Sequence, residues 1–582
     1  ALIGMYAKCG MLAKAQEVHH GILCRDVISW STLISAYAQH ERGHEALHCF
    51  EQMKSEGVSP NEVIFTCILK ACRSIGAIDK AKQVHDEIVE KGLLKKDGIL
   101  GTALVDMYCN CGMLKKAREV FEKLPEHDVV AWTSLISGYA QHNQSNMALV
   151  SFQLMLTQGI CPSSATFVCV LKACGDVGDE DKGFEIHVEV VRKGLLKTNA
   201  LVGNALVDMY AKCGSLVRAQ EVFDMLANPD IVAWTSLISG YAQYDHSEDA
   251  LNCFSQMQEQ GISPDVVTLV CILKACGSCR AIEKGIEVHA ELARKQVVKE
   301  NAVVGTALVD MYAKCGELLF AQEVFEKLPI RSIDSWNALI TGYAQQNRGV
   351  KVLECFEQML SQGLCPDDVT LACYLKACGN TGAIDKGRKL HADIEKGLPK
   401  TNQIVCNALL DMYAKCGMLV KAEEVFDKLD LHDVTSWNVL IAGYGQAGKF
   451  VDVVNAFDRM MSEGVKPNAS TFVNVLDACN HASLLERGKN YFEVMSVTFR
   501  IMPTLDHYTC MVHLLAHAGE LHKAEEMMEK ISSPLDIVML LGMLKACLKW
   551  SNVELGRRTF EKAVQLDANE VAAYVCMESI YA

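Results

Sequence analysis

The chain has 582 residues, half of them hydrophobic, and a formal net charge of −15 from 56 basic and 71 acidic side chains. That apolar content excludes a disordered chain, and no apolar run approaches the ~18 residues of a membrane span. The acidic balance argues against an indiscriminate nucleic-acid binder, though not against a chain that gathers its basic groups on one face. The 26 cysteines sit in apolar runs such as LKAC and YAKCG, which suits buried reduced thiols in a reducing compartment. The sequence opens Ala1-Leu2-Ile3 with neither Met nor a targeting segment, so we read it as cut from a longer chain.

Self-similarity dominates the sequence. Tyr-Ala-Lys-Cys-Gly ends at Gly10, Gly214, Gly316 and Gly417, with the variant YCNCG ending at Gly112 and a worn copy, HLLAHAG, at Gly519. Trp30, Trp132, Trp234, Trp336 and Trp437 keep the same spacing, as do the LKAC or LDAC runs ending at Cys72, Cys174, Cys276, Cys378 and Cys479. In chain order a truncated unit, Ala1–Asp26, precedes five triplets, Val27–Asp536. Two divergent units follow, Ile537–Asn569 and the short Glu570–Ala582.

Each triplet holds three kinds of unit. In one, a first-type unit runs Ile231–Asp265, a second-type unit Val266–Asn301 and a third-type unit Ala302–Ser332. Each carries two apolar-periodic segments around a short polar break. Trp234, Leu237, Ile238 and Tyr241 lie at i, i+3, i+4, i+7, then Ala250, Phe254 and Met257 at i, i+4, i+7. Strand alternation is sustained nowhere. One helix pair per unit, stacked without interruption, predicts an all-α fold: an α-solenoid with one continuous core and a concave surface lined by first helices.

A candidate binding row follows from that register. The fifth residue of the first- and third-type units is Ser31, Thr102, Thr133, Asn204, Thr235, Thr306, Asn337, Asn407, Asn438 and Thr509. Ser, Thr and Asn are poor helix residues, because their side chains compete for backbone hydrogen bonds. In second-type units the same place holds Thr66, Val168, Val270, Ala372 and Val473. Helix mechanics would not restrict one class and free the other. Reading of single-stranded RNA at one base per helical repeat would; small polar residues easing close helix packing are the plainer explanation.

The last residue of every unit is Asp, Asn, Ser or Thr. In the first- and third-type units of the triplets these are Asn61, Asp128, Ser163, Asp230, Asp265, Ser332, Asp367, Asp433, Asn468 and Asp536. Each precedes a helix, so capping explains the class, and we read capping and recognition as joint roles. The second residue is usually aliphatic, as in Ile28, Val130, Val232, Val303 and Ile404, and is read either as a wedge beside a base or as core. Lys8, Lys212, Lys314 and Lys415 end first helices, as phosphate contacts or as cations at a helix C-terminus. Acidic residues crowd the second helices.

Two constellations imitate a zinc deaminase site, which needs an H-x-E and a P-C-x-x-C. His289-Ala290-Glu291 recurs at the repeat period as His85–Glu87 and His187–Glu189. The C-x-x-C of Cys276 and Cys279 lacks the Pro, precedes the H-x-E and shares Cys276 with the repeated LKAC. We assign no catalytic residue, no metal ligand and no cofactor.

The runs WTSLISGYAQ, VTLVCILKACG and VVGTALVDMYAKCG closely resemble the P, L and S motifs of plant-type pentatricopeptide repeat proteins, in the order of the PLS subclass. The tail from Ile537 resembles the first E motif that follows such arrays, and Glu570 onward the start of the second. The resemblance implies a right-handed superhelix of helix-turn-helix repeats. It also implies a mitochondrial or plastid location and an organellar C-to-U RNA-editing specificity factor. Its partners would be single-stranded organellar RNA and a cytidine deaminase domain, downstream or in trans with other editing cofactors, and no membrane. The alternatives are an RNA stabilisation or splicing factor, or a protein-interaction scaffold. In the family the fifth and last residues act as a pair, so the implied site reads A-x-G-R-x-U-G-x-R-U-x-U-Y-x-G, with an edited C four nucleotides beyond the last G.

Overall fold

The computed structural model describes every residue except 1, 96–97, 296–300, 398–401, 430, 532–534, 568–569 and 582. The unit ends read at Ala1, Asp97, Asn569 and Ala582 lie outside the described residues. Every described element is a helix, and none is long and apolar enough to cross a membrane. Contacts divide the chain into two compact units, residues 1–288 and 289–582.

Within residues 1–288 the helices alternate as pairs: Val27–Gln39 with Gly43–Ser55, Glu62–Ile75 with Ile78–Glu90, Gly98–Asn110 with Leu114–Glu122, and so on. Each first helix packs on the next, forming one layer from Leu2–Lys8 to Val266–Cys279. Second helices pack against their own first helix and the one that follows. Residues 289–582 repeat the arrangement, with first helices in one layer from Ala302–Cys315 to Val571–Tyr581. Beyond the six helices per triplet, a short turn of helix closes two second-type units among the described residues, Leu93–Lys95 and Leu195–Thr198. At the second, Gly194 adopts φ 67° and breaks the preceding helix, and Asn199 restarts the next by accepting from Leu201 N–H at 3.1 Å.

The sequence starts first helices sharply. Asp128 accepts from the Ala131 N–H at 2.7 Å, Asp265 from Thr268 at 2.8 Å and Asp433 from Ser436 at 2.7 Å. Most second helices lack a side-chain cap and follow a tight left-handed turn. Asn143, Asp245 and Asn347 hold positive φ at that turn in first-type units, where a short polar side chain tolerates it best.

The core is a repeated contact. Trp132, Trp234, Trp336 and Trp437 are buried, each edge-on to a Phe of the preceding second helix: Phe121 at 4.6 Å, Phe223 at 4.5 Å, Phe325 at 4.5 Å and Phe426 at 4.6 Å. Such a pair contributes ~0.5–1.5 kcal/mol beyond the area it buries. The indole N–H groups find no acceptor, so apolar area is what these rings supply. Third-type first helices are tied to the second helix before them by a hydrogen bond between imidazole Nδ1 and phenol hydroxyl. The pairs are His85 with Tyr108 at 2.8 Å, His187 with Tyr210 at 3.0 Å, His289 with Tyr312 at 2.9 Å and His391 with Tyr413 at 2.8 Å.

Candidate nucleic-acid interface

The fifth residue lies one turn into each first helix, and the unit's last residue caps the first helix that follows. Neighbouring first helices are packed together, so the two side chains converge although they are separated by 26 or 30 residues in sequence. Asn204 Nδ2 donates to both carboxylate oxygens of Asp230 at 2.9 Å. Asn337 Nδ2 donates to Asp367 at 2.7 Å, Asn438 Nδ2 to Asn468 Oδ1 at 3.1 Å, and Asn407 Nδ2 reaches Asp433 at 3.4 Å. Every Asn of the row is thus joined to the last residue of its own unit.

The hydroxyl members behave differently. Thr133 meets Ser163, and Thr235 meets Asp265, only through an intervening threonine, Thr166 or Thr268. Ser31 and Asn61 make no direct bond but line one groove of ≈ 350 Å³ together with Ile28, Val63 and Lys8. No hydrogen bond joins Thr102 to Asp128, Thr306 to Ser332 or Thr509 to Asp536, and the Asp536 side chain caps nothing among the described residues. Asn204 is buried; the other nine members of the fifth-residue row are half-buried. They are near enough to solvent for a ligand and shielded enough for a polar mismatch to cost free energy.

The aliphatic second residues are not core. Ile28, Val130, Val232, Val303 and Ile404 are 53–70 % exposed, whereas Trp30, two residues beyond Ile28, is 1 % exposed. They flank the fifth-residue row as apolar walls, as Ile28 and Val63 do on either side of Ser31. Of the recurrent lysines at helix ends, Lys212, Lys314 and Lys415 are ion-paired one turn back with Asp208, Asp310 and Asp411 at 2.7–2.9 Å. The i, i+4 spacing of Asp and Lys carried that signal in the sequence.

Two sets of residues escaped the sequence reading. The first is a threonine at the third place of second-type units: Thr166, Thr268, Thr370 and Thr471, all fully buried. Burial acts on the Asp367 carboxyl to raise its pKa, but hydrogen bonds from the Thr370 N–H and hydroxyl and from the Asn337 amide outweigh it and hold the group below the usual carboxylate range. The second is Lys70, Lys172, Lys274 and Lys376, at the ninth place of second-type units, one turn beyond the fifth residue. All four are exposed, and none makes an ion pair with a described residue. The first helices Val27–Gln39, Val129–Gln141, Ile231–Gln243 and Val434–Gln446 carry no charge at all. Acidic side chains of second helices are met by cations of neighbouring units instead, as in Lys54 with Glu87 at 2.7 Å and Lys386 with Glu357 at 2.7 Å.

The deaminase-like constellations have other employment. His289 holds the Tyr312 hydroxyl, Cys276 is buried, and the Cys279 thiol donates to the Ala275 carbonyl at 3.1 Å. All 26 cysteines are free thiols. Burial pushes the Cys72 and Cys174 thiols up to about 12.

Comparison with known proteins places this geometry. Residues 25–74, 127–176, 229–278, 331–380 and 432–481 match the model of the PPR repeat family, and six further segments, from 63–93 to 506–533, match the PPR repeat. The chain is 34 % identical over its whole length to Arabidopsis thaliana pentatricopeptide repeat-containing protein At2g33680, spanning 80 % of that protein. It is 33 % identical to the mitochondrial At3g53360, spanning 76 %, and 32 % identical to the chloroplastic At1g11290, spanning 71 %, both also of Arabidopsis thaliana and both matched along the whole chain. Among solved structures, maize PPR10 aligns over 91 % of this chain and 82 % of its own, with TM-score 0.52 and 19 % identity. PPR10 in complex with an 18-nt psaJ RNA element aligns over 99 % and 86 %, with TM-score 0.56 and 16 % identity.

Proposed function

Because the chain belongs to the pentatricopeptide repeat family, we propose that it binds single-stranded RNA by sequence in a mitochondrion or plastid, and that it directs C-to-U editing there. The observation that carries the reading is the convergence of fifth and last residues. Four asparagines reach the last residue of their own unit, two threonines reach theirs through a buried hydroxyl, and all but the buried Asn204 are half-buried. A base edge entering between two such walls stacks on aliphatic carbon and meets one donor or acceptor from each member of the pair. A scaffold for another protein has no use for a polar row confined to first- and third-type units.

Second-type units, apolar at the fifth place, contribute in another way. Lys70, Lys172, Lys274 and Lys376 supply unpaired cations beside the reading row, where a phosphate backbone passes. Base reading then alternates with charge neutralisation along the array. Editing as the outcome rests on the P-L-S order and the E-like tail; the deaminating group is supplied downstream of Ala582 or in trans. A titration tests the binding reading. RNA of the order A-x-G-R-x-U-G-x-R-U-x-U-Y-x-G should bind at least ~10-fold more tightly than a scrambled sequence of the same composition, the factor a single well-matched base pairing contributes. Equal affinity would refute it.

A further inference from the structure

We propose that the buried threonine at the third place of second-type units is a positioning residue, one that sets which hydrogen-bonding group the fifth residue of the preceding unit turns toward a base. The inference deepens the RNA-reading proposal and rests on it. Thr370 Oγ1 donates to Asn337 Oδ1 at 2.7 Å, and Thr471 Oγ1 to Asn438 Oδ1 at 2.6 Å. The same hydroxyls accept the backbone N–H of Asp367 and of Asn468 and lie 2.7 and 3.0 Å from those residues' Oδ1 atoms, so the one Thr370 proton is shared between Asn337 Oδ1 and the Asp367 carboxylate. A hydroxyl has one proton and two lone pairs, whereas an amide is a donor at one end and an acceptor at the other. Anchored this way, the amide oxygen of Asn337 or Asn438 faces inward. Its nitrogen gives one proton to the unit's last residue and keeps one for the ligand.

At Thr235 the polarity reverses. Thr268 Oγ1 is 2.7 Å from Asp265 Oδ1 and 2.6 Å from Thr235 Oγ1. Unlike an amide oxygen, the Thr235 hydroxyl has a proton of its own to give, so the Thr268 proton goes wholly to the carboxylate, the stronger acceptor. Thr268 must then accept the Thr235 proton, which leaves a Thr235 lone pair facing outward. One buried hydroxyl therefore yields an outward N–H beside Asn337 and Asn438 and an outward acceptor beside Thr235. The first suits the carbonyl edge of a pyrimidine, the second the N–H edge of guanine.

The chain contains its own controls. In the first triplet the place is taken by Ile64, fully buried, so Ser31 and Asn61 lack the device. After the third-type unit that carries Asn204 it is Ala233, and Asn204 is held by Asp230 alone.

The test uses the 582-residue chain and single-base variants of the RNA above. Thr370→Val keeps the buried shape and removes the hydroxyl. It should lower the preference for U at the tenth nucleotide, opposite Asn337, by ~10-fold, the effect of one hydrogen bond made to a half-buried group. Preference at the sixth nucleotide, opposite Asn204, should not change, and Thr370→Ser should restore the tenth. Undiminished preference in Thr370→Val overturns the proposal, as does equal loss at both nucleotides. If the unmodified chain discriminates at neither, the RNA reading falls and the threonine role with it. Should Thr370→Val not fold, Ile64→Thr decides: it should sharpen selection of the first nucleotide, opposite Ser31, and no gain overturns the proposal.

Discussion

Asn204 and Asp230 form the most closely joined of the candidate reading pairs, with two 2.9 Å contacts from one amide nitrogen. Replacing Asn204 by Thr exchanges an amide for a hydroxyl while keeping the Asp230 acceptor. Base preference at the sixth nucleotide should move from U toward G by ~1–3 kcal/mol, the cost of a mismatched buried polar group. Single-base RNA titration would measure it, and equal weakening toward every RNA would contradict it. The candidate pairs were legible in the sequence because restriction to Ser, Thr and Asn at one register, and freedom at the same register of second-type units, survives without coordinates. Thr166, Thr268, Thr370 and Thr471 were not legible. A threonine three residues past a cap reads as an ordinary capping-box partner, and its approach to a side chain 33 residues earlier appears only when first helices pack together. The aliphatic second residues were ambiguous for a related reason: periodicity gives a face, and only the neighbouring helix decides whether that face is covered.

Helix pairs were the easiest element to read, since caps and a 3.6-residue apolar period mark both ends of most of them. How closely first helices approach was not legible. At Gly138 a side-chain carbon would sit 2.5 Å from Cys109 Cβ and 3.3 Å from its Cα. Gly138→Ala should therefore destabilise the chain by ~1–3 kcal/mol, the usual cost of overpacking a fitted interface, read as a lower midpoint in denaturant; an unchanged midpoint would show that the helices can separate. A second consequence belongs to the helix pair tied by imidazole and phenol. Burial, with Arg218 nearby, lowers the His187 pKa from its ordinary 6.5, and burial does the same at His85, His289 and His391. The unfolded chain therefore takes up protons first as pH falls through 6.5. Stability is full above that value, declines below it, and levels off beneath the folded-state pKa. The thermal midpoint should drop between pH 7.5 and pH 5, and His187→Asn should remove part of the drop. A midpoint independent of pH over that range would contradict the assignment.

At the scale of the whole molecule, a net charge of −15 would repel RNA if it were spread evenly. Four first helices are uncharged, Asp208, Asp310 and Asp411 of third-type first helices face Lys212, Lys314 and Lys415, and Lys70, Lys172, Lys274 and Lys376 make no ion pair with a described residue. Affinity should accordingly fall with salt. Replacing those four lysines by Ala should reduce the slope of log affinity against log salt by ~0.7 for each phosphate no longer neutralised, with base preference intact. An unchanged slope would place the backbone elsewhere.

The central claim is that this chain reads bases in the order of its units, and selection from a random single-stranded RNA pool by the 582-residue protein tests it most directly. The account requires enrichment of A-x-G-R-x-U-G-x-R-U-x-U-Y-x-G, with unselected nucleotides falling at the second-type units. Recovery of RNA with no shared sequence, or with selected bases opposite Val168, Val270, Ala372 and Val473, would contradict it.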